Sequence, residues 1–319
     1  MDIGVFTSLL SELPIEDVFR KLARLNIHLL ELGTGNYPGD PHCKLSMLAD
    51  KAARAEFTKK LAGNGFKISA LSCHGNPLHP DAARASHDRD VSRQTILLAE
   101  ALGVPTVVDF SGCPGDSLTA TAPNWVTCPW PPEYRDVLRW QWDEVVAPYW
   151  SEHAKFAADH GVKIAIEMHP GFVVYSPETM LRLREITGPA VGCNFDPSHL
   201  FWQGIDPIAA VPVLDGAIYH VHAKDTQLFD RNLPRTGVLD TKPYTDEKTR
   251  SWIFRTCGYG HDAAWWKTFI STLRLFGYDG VLSIEHEDSL MSTDEGLAKC
   301  AAFLNDLVIR ETPGAAFWA

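Results

Sequence analysis

Residues 163–200 read KIAIEMHPGFVVYSPETMLRLREITGPAVGCNFDPSHL. An apolar, β-branched run at 163–167 ends on Glu167, and a second run at 191–196 ends on Asp196. Between them, 177–186 carries apolar residues three and four apart, the spacing of one helix face. Strand, helix, strand in about thirty residues is a parallel unit joined by a crossover helix. The same alternation continues in both directions. Further strands are expected at 3–7, 28–33, 67–72, 106–110, 217–222 and 280–285. Helices are expected at 15–25, 46–63, 83–102, 136–160, 206–214, 264–276 and 293–310. Eight such pairs predict an α/β fold of the (β/α)8 TIM barrel type, as a single domain over 1–319. A glycine-rich loop of the dinucleotide type does not follow the first strand, which disfavours a doubly wound sheet.

Two stretches exceed the needs of such a barrel. The first, 111–135, follows strand four and is rich in Pro, Gly and Trp; the second, 226–262, follows strand seven and carries Arg231, Arg235, Lys242, Arg250 and Arg255. Both are expected on the strand-to-helix side, where barrel active sites are built.

The composition narrows the function classes. Hydrophobic residues make up 45% and charged residues 22% of the chain, so a packed core is feasible. With 29 Lys and Arg against 40 Asp and Glu, the net charge is −11, which argues against a protein that lives on nucleic acid. No apolar run reaches the roughly 18 residues of a membrane span, and the start MDIGVFTSLL lacks the basic region of a secretory signal. The seven cysteines are scattered and never form CxxC, the usage of reduced thiols, and a cytoplasmic location is expected.

Chemistry concentrates at four strand ends: Glu167 in IEMHP, Asp196 and His199 in NFDPSHL, His222 in HVHAKD, and Glu285 in SIEHED. Parallel strand termini open onto one mouth, so Glu167, Asp196, His222 and Glu285 can converge there. Side chains alternate along a strand, which also turns Ala165, Asn194, His220 and Ser283 inward and sends Cys193, Phe195, Tyr219 and Val221 to the helix layer. Three carboxylates crowded together repel one another, and a divalent cation resolves the conflict. An oxygen-rich set with one imidazole suits Mn²⁺ first, with Mg²⁺, Co²⁺ or Zn²⁺ as other choices.

These motifs, together with the Gly258-Tyr259-Gly260-His261-Asp262 run and GYDGVLSIEHED, resemble the xylose-isomerase-like barrel superfamily, in particular its sugar phosphate isomerase/epimerase group. The resemblance implies metal ligation by Glu167, Asp196, His222 and Glu285, proton transfer by Glu167 and Glu285, and a substrate or ligand-supporting role for His199. The implied reaction is metal-dependent isomerisation or epimerisation of a sugar or keto sugar, by α-proton abstraction through a metal-bound enediolate. The EHED ending, the RTCGYGHD run and the Trp-rich insertion are also similar to barrels that process 3-keto sugars and 3-keto glycosides. That likeness implies an alternative, a C- or O-deglycosidase-type lyase acting by β-elimination. A homo-oligomer is expected, or a hetero-oligomer with a small subunit in the deglycosidase case. The superfamily's endonucleases use extra histidines; here strand four ends Val108-Asp109-Phe110-Ser111 and strand seven continues Ala223-Lys224-Asp225-Thr226, which disfavours a nuclease. A non-catalytic barrel subunit is disfavoured because all four ligand positions are filled.

His74 and His79 in SCHGNPLHPD, with Lys224 and His261, are the candidate sugar-binding residues, and Asp262 is expected to cap the following helix. Trp125, Trp130, Trp140, Trp142 and Trp150 suit either a sugar face or a subunit contact. The arginines of the second insertion offer no clear phosphate site.

Overall fold

The computed structural model describes residues 1–312 and 314–318. Eight parallel strands close into a barrel: β1 (Asp2–Phe6), β2 (Leu29–Gly33), β3 (Lys67–Ser72), β4 (Thr106–Phe110), β5 (Lys163–Glu167), β6 (Val191–Phe195), β7 (Ile218–Ala223) and β10 (Val281–Ile284). β10 closes the ring by pairing in parallel with β1 and with β7. Two short strands, β8 (Asp225–Leu228) and β9 (Trp252–Arg255), form a separate antiparallel pair inside the second insertion, where irregular chain was expected.

Several helices start where the sequence offers a cap. Asp50, Asp81, Asp206 and Asp262 each accept hydrogen bonds from the first turn of the helix that follows, and Ser176 forms a capping box with Thr179. The outward strand residues Ile164, Ile166, Val191, Cys193, Phe195, Val221, Leu282 and Ile284 pack with the helices in one continuous core. At full burial each large aliphatic side chain among them contributes about 1.5–3 kcal/mol.

Inside the barrel, Ala70, Val108 and Ala165 form a small apolar floor two residues below the strand ends. Tyr219 packs on that floor instead of facing the helices. The register explains the departure: Cys193 pairs with Ile218 but Asn194 pairs with His220, so Tyr219 is an extra residue in the strand.

The first insertion is tied down from below. Asn76 Oδ1 accepts from Cys113 N (2.9 Å), and Gln141 Nε2 donates to Gly115 O (2.9 Å) and Asn124 O (2.7 Å). Trp142 and Trp150 are buried in this support, whereas Trp130 is exposed. Trp125 joins Trp202, Trp252 and Phe254 in a cluster that links the two insertions.

The second insertion is organised by Asp225. Its buried carboxylate accepts from Gly258 N, Gly260 N, His261 N and Trp266 Nε1. Gly260 is needed here because a Cβ would strike both the Thr226 carbonyl and the Asp225 carboxylate. Arg250 is buried between the rings of Tyr244 and Trp252, and Arg255 pairs with Asp288 (3.0 Å). These two arginines are consumed by the fold.

Candidate active site

The ends of β5, β6, β7 and β10 bring Glu167, Asp196, His222 and Glu285 together, with one donor atom of each lying within 4.8 Å of the others. His222 Nδ1 is 3.2 Å from Glu167 Oε2 and 3.0 Å from Glu285 Oε2. Three atoms at this meeting point, Asp196 Oδ2, His222 Nδ1 and Glu285 Oε2, are buried without a hydrogen-bond partner, the two carboxylate oxygens having only the charge of Lys224 beside them. Orphaned buried polar atoms are costly, and those of one site aimed at a common space fit a cation better than they fit one another.

Hydrogen bonds hold Glu167 in place. His74 Nε2 (3.0 Å) and Asn194 Nδ2 (3.0 Å) approach Oε2, and His199 Nε2 (3.1 Å) approaches Oε1. Burial works to raise this carboxyl, but His222, His199 and His74 outweigh it and hold Glu167 well below the usual range. Asp196 goes the other way. Burial, reinforced by Glu167 and Glu285, pushes it up to about 6 despite Lys224. Burial also opposes ionisation of Glu285, but Lys224 and His222 bring it down to about 2.

Lys224 is buried at the rim, 3.1 Å from Asp196 Oδ2 and 2.9 Å from both Glu285 Oε2 and Glu287 Oε2. His199 is lowered by burial and by Lys224, and His169, whose ring centroid is 4.0 Å from that of His199, falls to about 3 through burial and His199. Both imidazoles are therefore neutral donors and acceptors at neutral pH.

The mouth encloses about 270 Å³, with Glu167 and Glu285 at its base, Lys224 and Glu287 at its rim, and Phe6, His74, Phe110 and His169 in its wall. That size is near the low end for ligand cavities, suited to one small ring. Phe110 stacks on Phe172 (4.3 Å, 23°) and meets the edges of His74 and His169, which makes one side of the cavity aromatic.

Of the candidate sugar contacts, His74 and Lys224 line this cavity. His79 does not. Its Nδ1 accepts from Asp81 N (3.0 Å) at the start of helix Ala82–Leu102, and the ring borders a separate cavity of about 510 Å³ outside the barrel. His261 is also displaced: its Nδ1 bonds Asp225 Oδ1 (2.7 Å) while its ring stacks on Phe201 (3.7 Å, 15°). In both cases turn geometry decides where the histidine points. Asp262 is the helix cap it was expected to be.

Glu31 on β2 is a site residue that the sequence reading passed over. Its fully buried carboxylate receives His220 Nε2 (2.8 Å), His222 Nε2 (3.0 Å), Ser72 Oγ (2.5 Å) and Ser283 Oγ (2.6 Å). Burial works to raise Glu31, yet His222 and His220 hold it well below the usual range. The available signal was an acid at an inward position of an otherwise apolar strand, LLELG.

A closed parallel barrel with an oxygen-rich cluster of candidate ligands at the carboxyl ends of its strands defines a class of barrel whose mouth is where chemistry is placed. A family model for xylose isomerase-like TIM barrels matches residues 19–307, and the chain belongs to that family. It is 42% identical over 301 residues to the uncharacterized protein YfiH of Bacillus subtilis strain 168, covering 93% of this chain and 96% of that one. It is 31% identical over 87 residues to the inosose dehydratase of Histophilus somni strain 129Pt, covering 26% and 29% of the two chains. Among solved structures, the IOLI protein with a binding zinc atom superposes with a TM-score of 0.65 at 17% identity, over 97% of this chain and 98% of that one. Among the described residues no helix is long and apolar enough to cross a membrane.

Proposed function

We propose that the protein is a divalent-cation-dependent isomerase or epimerase that moves the proton beside the ketone of a sugar or keto sugar. The observation that carries this reading is the convergence of Glu167, Asp196, His222 and Glu285, with unpartnered atoms on Asp196, His222 and Glu285. These four side chains would hold the ion, for which Mn²⁺ is the first choice from the donor chemistry and for which the zinc of the IOLI structure is a precedent. When bound, the ion supplies Lewis-acid polarisation of the substrate carbonyl.

The chain's own residues account for the rest. Glu285 is the more accessible carboxylate, with a side chain 16% exposed against 3% for Glu167, and it takes the α-proton. Glu167, ionised at rest, takes up a proton passed to it by His199, whose Nε2 lies 3.1 Å from its Oε1 and which is replenished from solvent. It delivers that proton to carbon from another side of the cavity, while Glu285 gives the proton it took back to solvent. Return to the neighbouring carbon gives an isomer, and return to the opposite face of the same carbon gives an epimer. The aromatic wall around Phe110 excludes water from one side of the ring. Lys224 is engaged by Asp196, Glu285 and Glu287, so the rim has no spare cation for a phosphate and favours an uncharged substrate.

The partial match to inosose dehydratases favours one second reading, elimination. The same α-proton leaves to Glu285, the electron pair left on carbon forms a double bond, and the β-oxygen substituent departs with a proton as water or an aglycone.

The test is solvent deuterium incorporation at the α-carbon across keto sugars and 3-keto glycosides, with and without Mn²⁺. Glu285→Gln and Glu167→Gln are each expected to slow exchange by about 10²–10⁴-fold. Unchanged exchange in both variants overturns the acid/base assignment, and release of water or aglycone selects elimination.

A further inference from the structure

We propose that Glu31 is a positioning residue that fixes the ring orientation and tautomer of His222, so that Nδ1 presents a lone pair to the cation site. The inference rests on the cation reading above, and it concerns a residue on β2, a strand that carries none of the four proposed ligands.

The geometry leaves little freedom. His222 Nε2 lies 3.0 and 3.1 Å from the two oxygens of Glu31, and an ionised carboxylate only accepts, so Nε2 must carry the hydrogen. Burial opposes a charged ring, yet Glu31, Glu285 and Glu167 raise His222 well above the usual imidazole range, so without a cation Nδ1 carries a proton too. When a cation takes that proton's place, the hydrogen kept on Nε2 leaves the lone pair on Nδ1, facing Glu167 and Glu285. The reverse tautomer would set a bare Nε2 against a carboxylate.

Glu31 is itself over-determined. His220 and Ser283 arrive from the two strands that also carry His222 and Glu285, and Ser72 arrives from β3, so four donors from three strands fix the carboxylate. Glu31, His220 and His222 also lie close enough together to suggest a second cation site. Four donors already occupy the Glu31 oxygens, however, and the cluster is closed by hydrogen bonds. Phe6 completes the support by stacking on His222 (5.6 Å, 20°).

Such outer partners of a ligating histidine raise its basicity and orient it, and their loss typically weakens metal binding 10–100-fold. In Glu31→Gln the side-chain amide can offer an N–H to Nε2, which allows the ring to move its proton to Nδ1 and withdraw its lone pair from the site.

The experiment measures Mn²⁺ affinity of the intact protein by calorimetry for wild type, Glu31→Gln and His220→Gln. It also follows His222 in metal-free protein by nitrogen-resolved NMR as pH is raised until the ring becomes neutral, and records which nitrogen keeps its hydrogen. Glu31→Gln is expected to bind Mn²⁺ 10–100-fold more weakly and to shift the ring proton toward Nδ1. His220→Gln, which leaves the Glu31–His222 pair in place, is expected to weaken Mn²⁺ binding by less than the roughly tenfold that marks loss of a direct outer partner. If wild type binds Mn²⁺ and Glu31→Gln binds it equally well, the positioning role is wrong while the cation reading stands. If wild type binds no divalent cation, the cation reading falls; the NMR result still decides for or against Glu31, since a neutral wild-type ring protonated at Nδ1 overturns it. A variant that melts lower but keeps wild-type affinity and tautomer assigns Glu31 a purely structural role, and that too overturns the inference.

Discussion

Replacing Asp196 by Asn should change stability in opposite directions with and without metal. Asp196 Oδ1 accepts from Ser198 N (2.8 Å) as the cap of helix Pro197–Phe201, a task Asn performs as well. Its Oδ2 accepts no hydrogen bond, has the Lys224 ammonium 3.1 Å away as an ion-pair partner, and lies at the proposed cation site. Without metal, the folded carboxyl is raised from 3.8 to about 6, first by burial and then by Glu167 and Glu285. A shift of about two units corresponds to roughly 3 kcal/mol of cost once the group is ionised. A raised acid holds its proton longer when folded than when unfolded, so stability falls as pH rises from about 4 to 6, and the full cost persists above that window. Asn carries no such cost. In chelator at pH 8, Asp196→Asn should therefore be more stable than wild type by about 1–3 kcal/mol, and the difference should vanish near pH 4.

With Mn²⁺ at 100 times its dissociation constant, wild type gains about 2.7 kcal/mol, whereas the variant has lost a ligand and gains little. The order of stabilities then reverses. Urea unfolding followed by tryptophan fluorescence, in chelator and in Mn²⁺, at pH 4 and pH 8, measures all of these quantities. A variant that is less stable than wild type in chelator at pH 8, or that keeps the full Mn²⁺ response, refutes the reasoning.

Asp109 offers a comparison away from the four proposed ligands: buried on β4 and hydrogen-bonded to Ser92 Oγ (2.8 Å), it is pushed up to about 6 by burial. Asp109→Asn should flatten the fall in stability between pH 4 and 6, with no change in Mn²⁺ affinity, both measurable by denaturant titration across pH. Asp225→Ala strands the Gly258, Gly260, His261 and Trp266 donors and should cost at least about 3 kcal/mol, visible as a lowered urea midpoint. Phe110→Ala opens the aromatic wall and should raise KM about tenfold, more than it lowers kcat, if, as proposed, the cavity it lines holds the substrate in ground state and transition state alike.

The barrel was legible because each strand is a short apolar run and each connection has helical spacing or a cap; the acids stood out because they end those runs. What escaped depends on closure. Glu31 meets His222 only because β10 brings β1 and β2 round to face β7, a contact 191 positions apart in the chain. The β8–β9 pair is set by partners on either side of a long loop, and DTQL has little of the β-branched character that marks a strand. Tyr219 was placed on the wrong side because one extra residue in β7 breaks the alternation on which parity relies. The histidines of SCHGNPLHPD show the same limit at finer scale: His74 and His79 are five positions apart, yet one bonds Glu167 and the other braces a helix start.

Polar satisfaction changes with depth inside the barrel, and that gradient locates the chemistry more sharply than the identity of any one side chain. The floor of Ala70, Val108 and Ala165 has no side-chain polar atoms to satisfy. Above it, Glu31, His220, Ser72 and Ser283 are joined by short hydrogen bonds. At the top, Asp196, His222 and Glu285 each keep a buried atom without a partner. A chain selected for stability alone would be expected to fill or neutralise those positions, since each unsatisfied group costs about 1–3 kcal/mol. Beneath that top level Asn194 Oδ1 also lacks a partner, but the unsatisfied atoms that converge lie beside the cavity that a ligand can enter, and that convergence fits a bound ion. The Asp196→Asn reversal is the direct measure of that deficit, because it removes the cost and the binding with one atom pair.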